Sequence, residues 1–261
     1  MAIYVTLDHS KSIQGLAPWV QAPPLKETYL PAPGKHTATV ILLHGFANSG
    51  AAWEPIARHL QASLPHIKFI LPNAPITRVS VPVGGAPGEA ELPAWWDPRL
   101  NDGLPAEWPG KTPSGDATGL KKAIATVEKI IDEEAKLVAP GRVFLGGFSQ
   151  GTILSLAVGL ENDKVGGIIA LSSSLSVPDS FKSPGVFDPS TLKKAIFWAH
   201  GLADYVPLDW ATGSVDYLVN TVGFKKISKS DTPTSGTLTW TTYEGLKHET
   251  NEEELEDIQK W

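Results

Sequence analysis

Short, dense apolar runs alternate with stretches of helical periodicity along most of this chain. Residues 37–43, 67–71, 143–145, 165–171 and 195–199 are rich in Val, Ile, Leu, Phe and Ala, and each run stops at His, Pro, Gly or Ser. Runs of this length with no polar alternation suit strands buried on both faces, as in a parallel sheet. Residues 237–243 alternate instead and read as a final strand. Residues 2–7 and 28–30 carry weaker strand character on either side of the proline-rich 17–24, and read as edge strands or a hairpin.

Helical periods fill the gaps. Trp53, Ile56, Ala57 and Leu60 form one stripe within 51–64, and Leu120, Ile124, Val127, Ile131 and Ala135 form another behind a cap at Ser114 or Asp116. Residues 152–160 and 208–219 read as helices, and a last helix starts at Thr250 with Glu253 at capping-box spacing. Strand, helix and strand in this order predict a doubly wound, mostly parallel α/β sheet with helices on both faces.

Residues 72–115 break the pattern. Nine prolines and six glycines fall there, and no period survives. A loop of this length in a compact domain is functional or disordered, and Trp95-Trp96 with Val79, Val81 and Leu92 argues against disorder. The stretch reads as a cap, with Val79, Val81, Leu92 and Trp95 as apolar walls of a substrate pocket; the other reading of these side chains is completion of the core.

Composition narrows the class. A chain of 261 residues, 42% hydrophobic, is the size of one α/β domain spanning 1–261. A net charge of −6 without a run of Lys or Arg argues against nucleic acid or an anionic membrane surface as the main partner. With no cysteine, disulfides, thiolate zinc sites and a cysteine nucleophile are excluded, and a reducing cytoplasm is compatible. Residues 1–10 lack the pattern of a secretory signal, and no apolar stretch is long enough to form a transmembrane segment. No histidine pair has metal-ligand spacing, so no metal is expected.

The chemistry gathers around Gly147-Phe148-Ser149-Gln150-Gly151, a G-x-S-x-G between a predicted strand and a predicted helix. Such a turn strains the backbone at its serine and needs glycine on either side. Ser149 is then an exposed nucleophile, and the backbone N–H of Gln150 points at any negative charge forming beside it. The loop after 37–43, His44-Gly45-Phe46, offers a second N–H at Phe46 for the same oxyanion hole. His44 reads as a brace for that loop rather than a catalytic base. A serine nucleophile needs a histidine base and a carboxylate to orient it, in the order Ser, acid, His, each after a strand. Asp204, beyond 195–199, and His248, beyond 237–243, fit. His248 is also the one histidine of the seven that follows Asp204. The rival acids Asp163, Asp179, Asp188, Asp209 and Asp216 fall on turns or helices.

These segments resemble the acyl-protein thioesterase and carboxylesterase group of α/β-hydrolases. The likeness runs through Leu43-His44-Gly45-Phe46, 69–75, Trp95-Trp96-Asp97, Gly146 to Gly151, His200 to Pro207 and Tyr243 to His248, and covers most of the chain from Thr37 onward. It implies Ser149, Asp204 and His248 as a triad, with Phe46 and Gln150 as the oxyanion hole. It also implies hydrolysis of thioesters of lipidated proteins, lysophospholipids or simple carboxylic esters, with no metal and no organic cofactor. The chain departs from the group at Phe46-Ala47-Asn48 where Leu-Gly-Asp is usual, at Thr152 where a second glycine is usual, and at Leu202 where an aspartate is usual. Two other readings stand beside a thioesterase: a small-molecule carboxylesterase or lysophospholipase, and a non-catalytic binder on the same scaffold.

Overall fold

The fold comes from a computed structural model that describes residues 28–83, 86–99, 116–175 and 192–261. The expected strand at 2–7, the Ser114 cap and Asp179 and Asp188 lie outside the described residues. Eight strands form the main sheet: β1 (Thr28–Leu30), β2 (Ala38–Leu43), β3 (Ile67–Leu71), β6 (Val143–Phe148), β7 (Val165–Leu171), β8 (Ala195–Gly201), β9 (Lys225–Ile227) and β10 (Thr237–Tyr243). Their order is β1-β3-β2-β6-β7-β8-β10-β9. Every pairing is parallel except the short edge strand β1, which runs against β3.

Apolar density in the strands follows from burial on both sides. Ile41, Leu43, Ile168, Ala170, Ile196 and Trp198 join one core. Their neighbours Val40, Leu42, Ile169, Leu171, Phe197 and Ala199 join the other. Helices α2 (Ala117–Glu134), α3 (Gln150–Gly159) and α4 (Leu208–Tyr217) cover the first face, and α1 (Gly50–Ser63) and α5 (Glu252–Lys260) cover the second. The Trp53, Ile56, Ala57 and Leu60 stripe of α1 is buried, and Asp116 caps α2 by accepting the Gly119 N–H at 2.7 Å.

Chain direction across the sheet reverses between β2 and β6. From β2 the chain steps to β3, whereas from β6 it steps through β7 and β8 to β10. The carboxyl ends of β2 and β6, in register at Leu43 and Gly147, therefore border the switch-point crevice where ligands of this architecture bind.

Three expectations are corrected, and one strand is added. Within 72–115, residues 76–83 and 86–93 are not structureless, because β4 (Ile76–Val83) and β5 (Ala86–Pro93) form an antiparallel hairpin outside the main sheet. Both of its strands are edges, so Pro82, Pro87 and Pro93 cost it little. The last helix is capped one residue later than expected, by Asn251 Oδ1 accepting the Glu254 N–H at 2.8 Å. A short β9, invisible as Lys-Lys-Ile, pairs with β10. The helix expected over 208–219 ends at Tyr217 and continues as one wider turn through Val222, closed by Gly223 at φ 101°.

Candidate active site

Ser149 sits between β6 and α3 with φ 54° and ψ −117°, a left-handed conformation that residues with a Cβ rarely hold. Packing imposes it. A Cβ at Gly147 would collide with the backbone of Gly151, and one at Gly151 with the carbonyl of Leu43, so strand and helix meet closely only through glycine. The Ser149 N–H is held by Leu171 O at 3.0 Å. Thr152, in place of the second glycine, adds a clamp. Its hydroxyl lies 2.6 Å from Gly147 O and 2.7 Å from Leu171 O, and it accepts the Leu171 N–H at 3.0 Å.

The loop after β2 lies against this turn. A Cβ at Gly45 would come within 3.3 Å of the Ser149 Cβ. His44 is fully buried: its Nδ1–H donates to Gly45 O at 2.7 Å and its Nε2 accepts the Ala74 N–H at 3.0 Å. Burial pushes its pKa down to about 4, so it is a neutral brace with both nitrogens engaged. Ala47 adopts φ 56° and donates its N–H to Pro93 O at 2.9 Å. The Phe46 N–H has no backbone acceptor among the described residues, and the Gln150 N–H opens α3, where no intrahelical acceptor exists.

Trp95 and Trp96 are buried behind this loop. The Trp95 indole N–H donates to His44 O at 2.8 Å, and the Gln150 side chain accepts the Trp95 N–H at 3.1 Å and donates to Trp96 O at 2.9 Å. Asp97 accepts the N–H and hydroxyl of Ser80 and so ties the segment to β4. Val79 and Val81 are buried with Ala94, and Phe46, Ala90 and Leu92 pack on them.

Asp204 and His248 come together from the ends of β8 and β10. His248 Nδ1 lies 2.9 Å from Asp204 Oδ1 and 3.0 Å from Oδ2, and the Asp204 side chain is fully buried. Asp204 Oδ1 also accepts the Val206 N–H at 2.8 Å. The two loops are stitched by Leu202 N–H to Tyr243 O at 2.9 Å and Ala203 N–H to Leu246 O at 3.0 Å. The His248 ring is clasped between Phe148, at 4.6 Å, and Tyr205, at 4.3 Å. Phe148 is the residue before Ser149, so the imidazole lies beside the elbow. No hydrogen bond joins the Ser149 hydroxyl to His248 among the described residues, a contact that commonly tightens only with substrate. Of the rival acids, Asp163, Asp209 and Asp216 are not bonded to any histidine among the described residues.

Ser149, the N–H groups of Phe46 and Gln150 and the Asp204–His248 pair border one crevice, an arrangement suited to acyl transfer. Residues 30–261 match the phospholipase/carboxylesterase family. The chain belongs to that family. It is thus a serine hydrolase by descent, with an α/β-hydrolase fold. The acyl-protein thioesterase 1 of Yarrowia lipolytica is 34% identical over 92% of this chain and 96% of its own. That of Cryptococcus neoformans is 35% identical over 87% and 91%. Among solved structures, Arabidopsis thaliana SOBER1 is similar at a TM-score of 0.68 and 28% identity, covering 86% of this chain and 97% of its own. No helix among the described residues is long and apolar enough to cross a membrane.

Several participants carry no signal in the sequence. Tyr205, 55% exposed, covers the outer face of His248. His200 is buried behind Asp204, where its Nε2–H donates to Val206 O at 3.0 Å and burial lowers its pKa. Glu254 looks like an ordinary helix residue until its surroundings are seen, and the clamp made by Thr152 shows only in the structure.

Proposed function

We propose that Ser149, His248 and Asp204 are nucleophile, base and orienting acid in the hydrolysis of acyl esters and thioesters. Ser149 Oγ attacks the acyl carbon while its proton passes to His248 Nε2, the nitrogen turned away from Asp204. The carbonyl oxygen becomes an oxyanion and takes N–H bonds from Phe46 and Gln150. Collapse breaks the bond to the leaving oxygen or sulfur, which departs with the proton from His248. Water then gives a proton to His248 and its oxygen to the acyl carbon, and the free acid leaves as Ser149 regains its proton. The scheme needs neither metal nor organic cofactor. The observation that carries it is the buried Asp204–His248 pair, packed on Phe148 beside a serine in a strained turn.

For the substrate, the names of the fungal relatives favour acyl thioesters of lipidated proteins. In this reading the partly exposed Phe46 and Leu92 are the wall that meets the acyl chain, and Val79, Val81 and Trp95, expected to line the pocket, are buried and support it from behind. Residues 72–115 then act as the cap of one domain spanning 1–261, and the cysteine-free composition suits work in the cytoplasm. Ser149→Ala should lower turnover of a chromogenic ester by about 10⁴-fold or more, and full residual activity would refute the assignment. A panel of acyl thioesters should show kcat/KM rising with chain length. A flat profile would point to small carboxylic esters and remove the apolar wall.

A further inference from the structure

Glu254 is fully buried, and neither of its carboxyl oxygens has a hydrogen-bond partner among the described residues. The buried Glu134, by contrast, has Lys68 Nζ at 2.6 Å and the Thr39 hydroxyl at 2.9 Å. Glu254 stands three residues after the cap Asn251, where a glutamate ordinarily bends back to the cap N–H. Here it turns inward instead, into the side of the molecule that holds Asp204.

The charged groups around it are unfavourable to a carboxylate. From the loop after β8, Asp204 repels it; from α5 itself, Asp257 does the same. Lys229, from the loop after β9, is committed to Asp257 at 2.8 Å and Glu253 at 3.3 Å, and Lys260 lies 3.9 Å from Asp257. Tyr243 on β10 donates to Asp257 at 3.0 Å, and its phenol is pushed up by burial first and by Glu254 second. Among the described residues His200, His248 and Tyr205 are the other titratable groups near Asp204. Burial first, then Asp204 and Asp257, raise the Glu254 pKa to about 8, against the favourable pull of the α5 N-terminus.

We propose that Glu254 is a positioning residue for this site: as an uncharged acid behind Asp204 it leaves a single negative charge to hold His248, and its ionisation turns the enzyme off. The inference rests on the triad reading. Once Glu254 gives its proton to solvent, a second buried anion stands near Asp204. It is relieved when Asp204 releases the ring, and Ser149 then loses its oriented base.

The test compares wild type with Glu254→Gln, measuring kcat/KM on a soluble chromogenic ester from about pH 6 to 9.5, with melting curves at each pH. Wild type should lose activity reversibly with a midpoint near 8, below its melting temperature throughout. The Gln variant, neutral and of the same shape, should match it at pH 7 within about threefold and keep its activity at least one pH unit further. Coincident alkaline limbs, or a hundredfold loss at pH 7 in a variant that melts normally, overturn the proposal. A second readout needs no variant of Glu254: carboxyl ¹³C titration should find one glutamate ionising near 8 in wild type and in Ser149→Ala alike. If every glutamate titrates in the ordinary range, the proposal fails even where the serine mechanism stands. If the resonance is found but Ser149→Ala remains active, the triad reading has failed instead.

Discussion

Ser149 is held in a conformation that costs a residue with a Cβ on the order of 1–3 kcal/mol, offset by the strand and helix that close around it. Glycine escapes that cost but loses more chain entropy on folding. Ser149→Gly should therefore be more stable than Ser149→Ala by about 1 kcal/mol in chemical denaturation, while both are inactive. Equal stabilities would mean that the turn is not strained. Glycine at 147 and 151 made this turn legible, because the sequence requirement and the steric requirement are the same fact. Ala47 was not legible in that way. It holds φ 56° where the related group carries glycine, and its partner Pro93 lies in a segment the sequence left without structure.

At the scale of elements, the elbow is fastened to the sheet by one side chain. Thr152 bridges β6 and β7 through Gly147 and Leu171, and Thr152→Val keeps its shape but leaves the buried Leu171 N–H unpaired. The loss should be about 1–3 kcal/mol in denaturation midpoint analysis. A change within error would show that the strands hold without the clamp. Strands buried on both faces announced themselves, since β2, β3 and β7 are apolar except for Thr39 and Lys68. The hairpin did not. In β4 only Val79 and Val81 are buried between exposed or half-exposed neighbours, and the prolines that obscured it sit where an isolated two-stranded sheet tolerates them. The α5 cap was misread by one position because Thr250 and Asn251 are both good caps by type; Thr250 is buried, and Asn251 takes the role.

Across the whole molecule, residues far apart in sequence reach one crevice because the sheet reverses direction there. Ser149 follows β6, Phe46 follows β2, and the acid and histidine loops follow β8 and β10. That much was visible from the order of motifs along the chain. The surroundings of Glu254 were not, since a glutamate in the first turn of a helix normally faces water. Its burial has a consequence for global stability. With a folded pKa of about 8 against an ordinary 4.5, Glu254 keeps its proton in the native state and releases it on unfolding between those values. Its contribution to stability is full below about pH 4.5, falls as pH rises through that window, and levels off above about 8. Glu254→Gln should gain stability relative to wild type across the same interval, as pH-dependent melting would record. A constant offset would contradict the buried proton. The central claim concerns Ser149, and a fluorophosphonate probe followed by peptide mapping tests it most directly. The account predicts one modified site, on the peptide carrying Gly147-Phe148-Ser149-Gln150-Gly151, and no labelling in Ser149→Ala; modification at any other residue would contradict it.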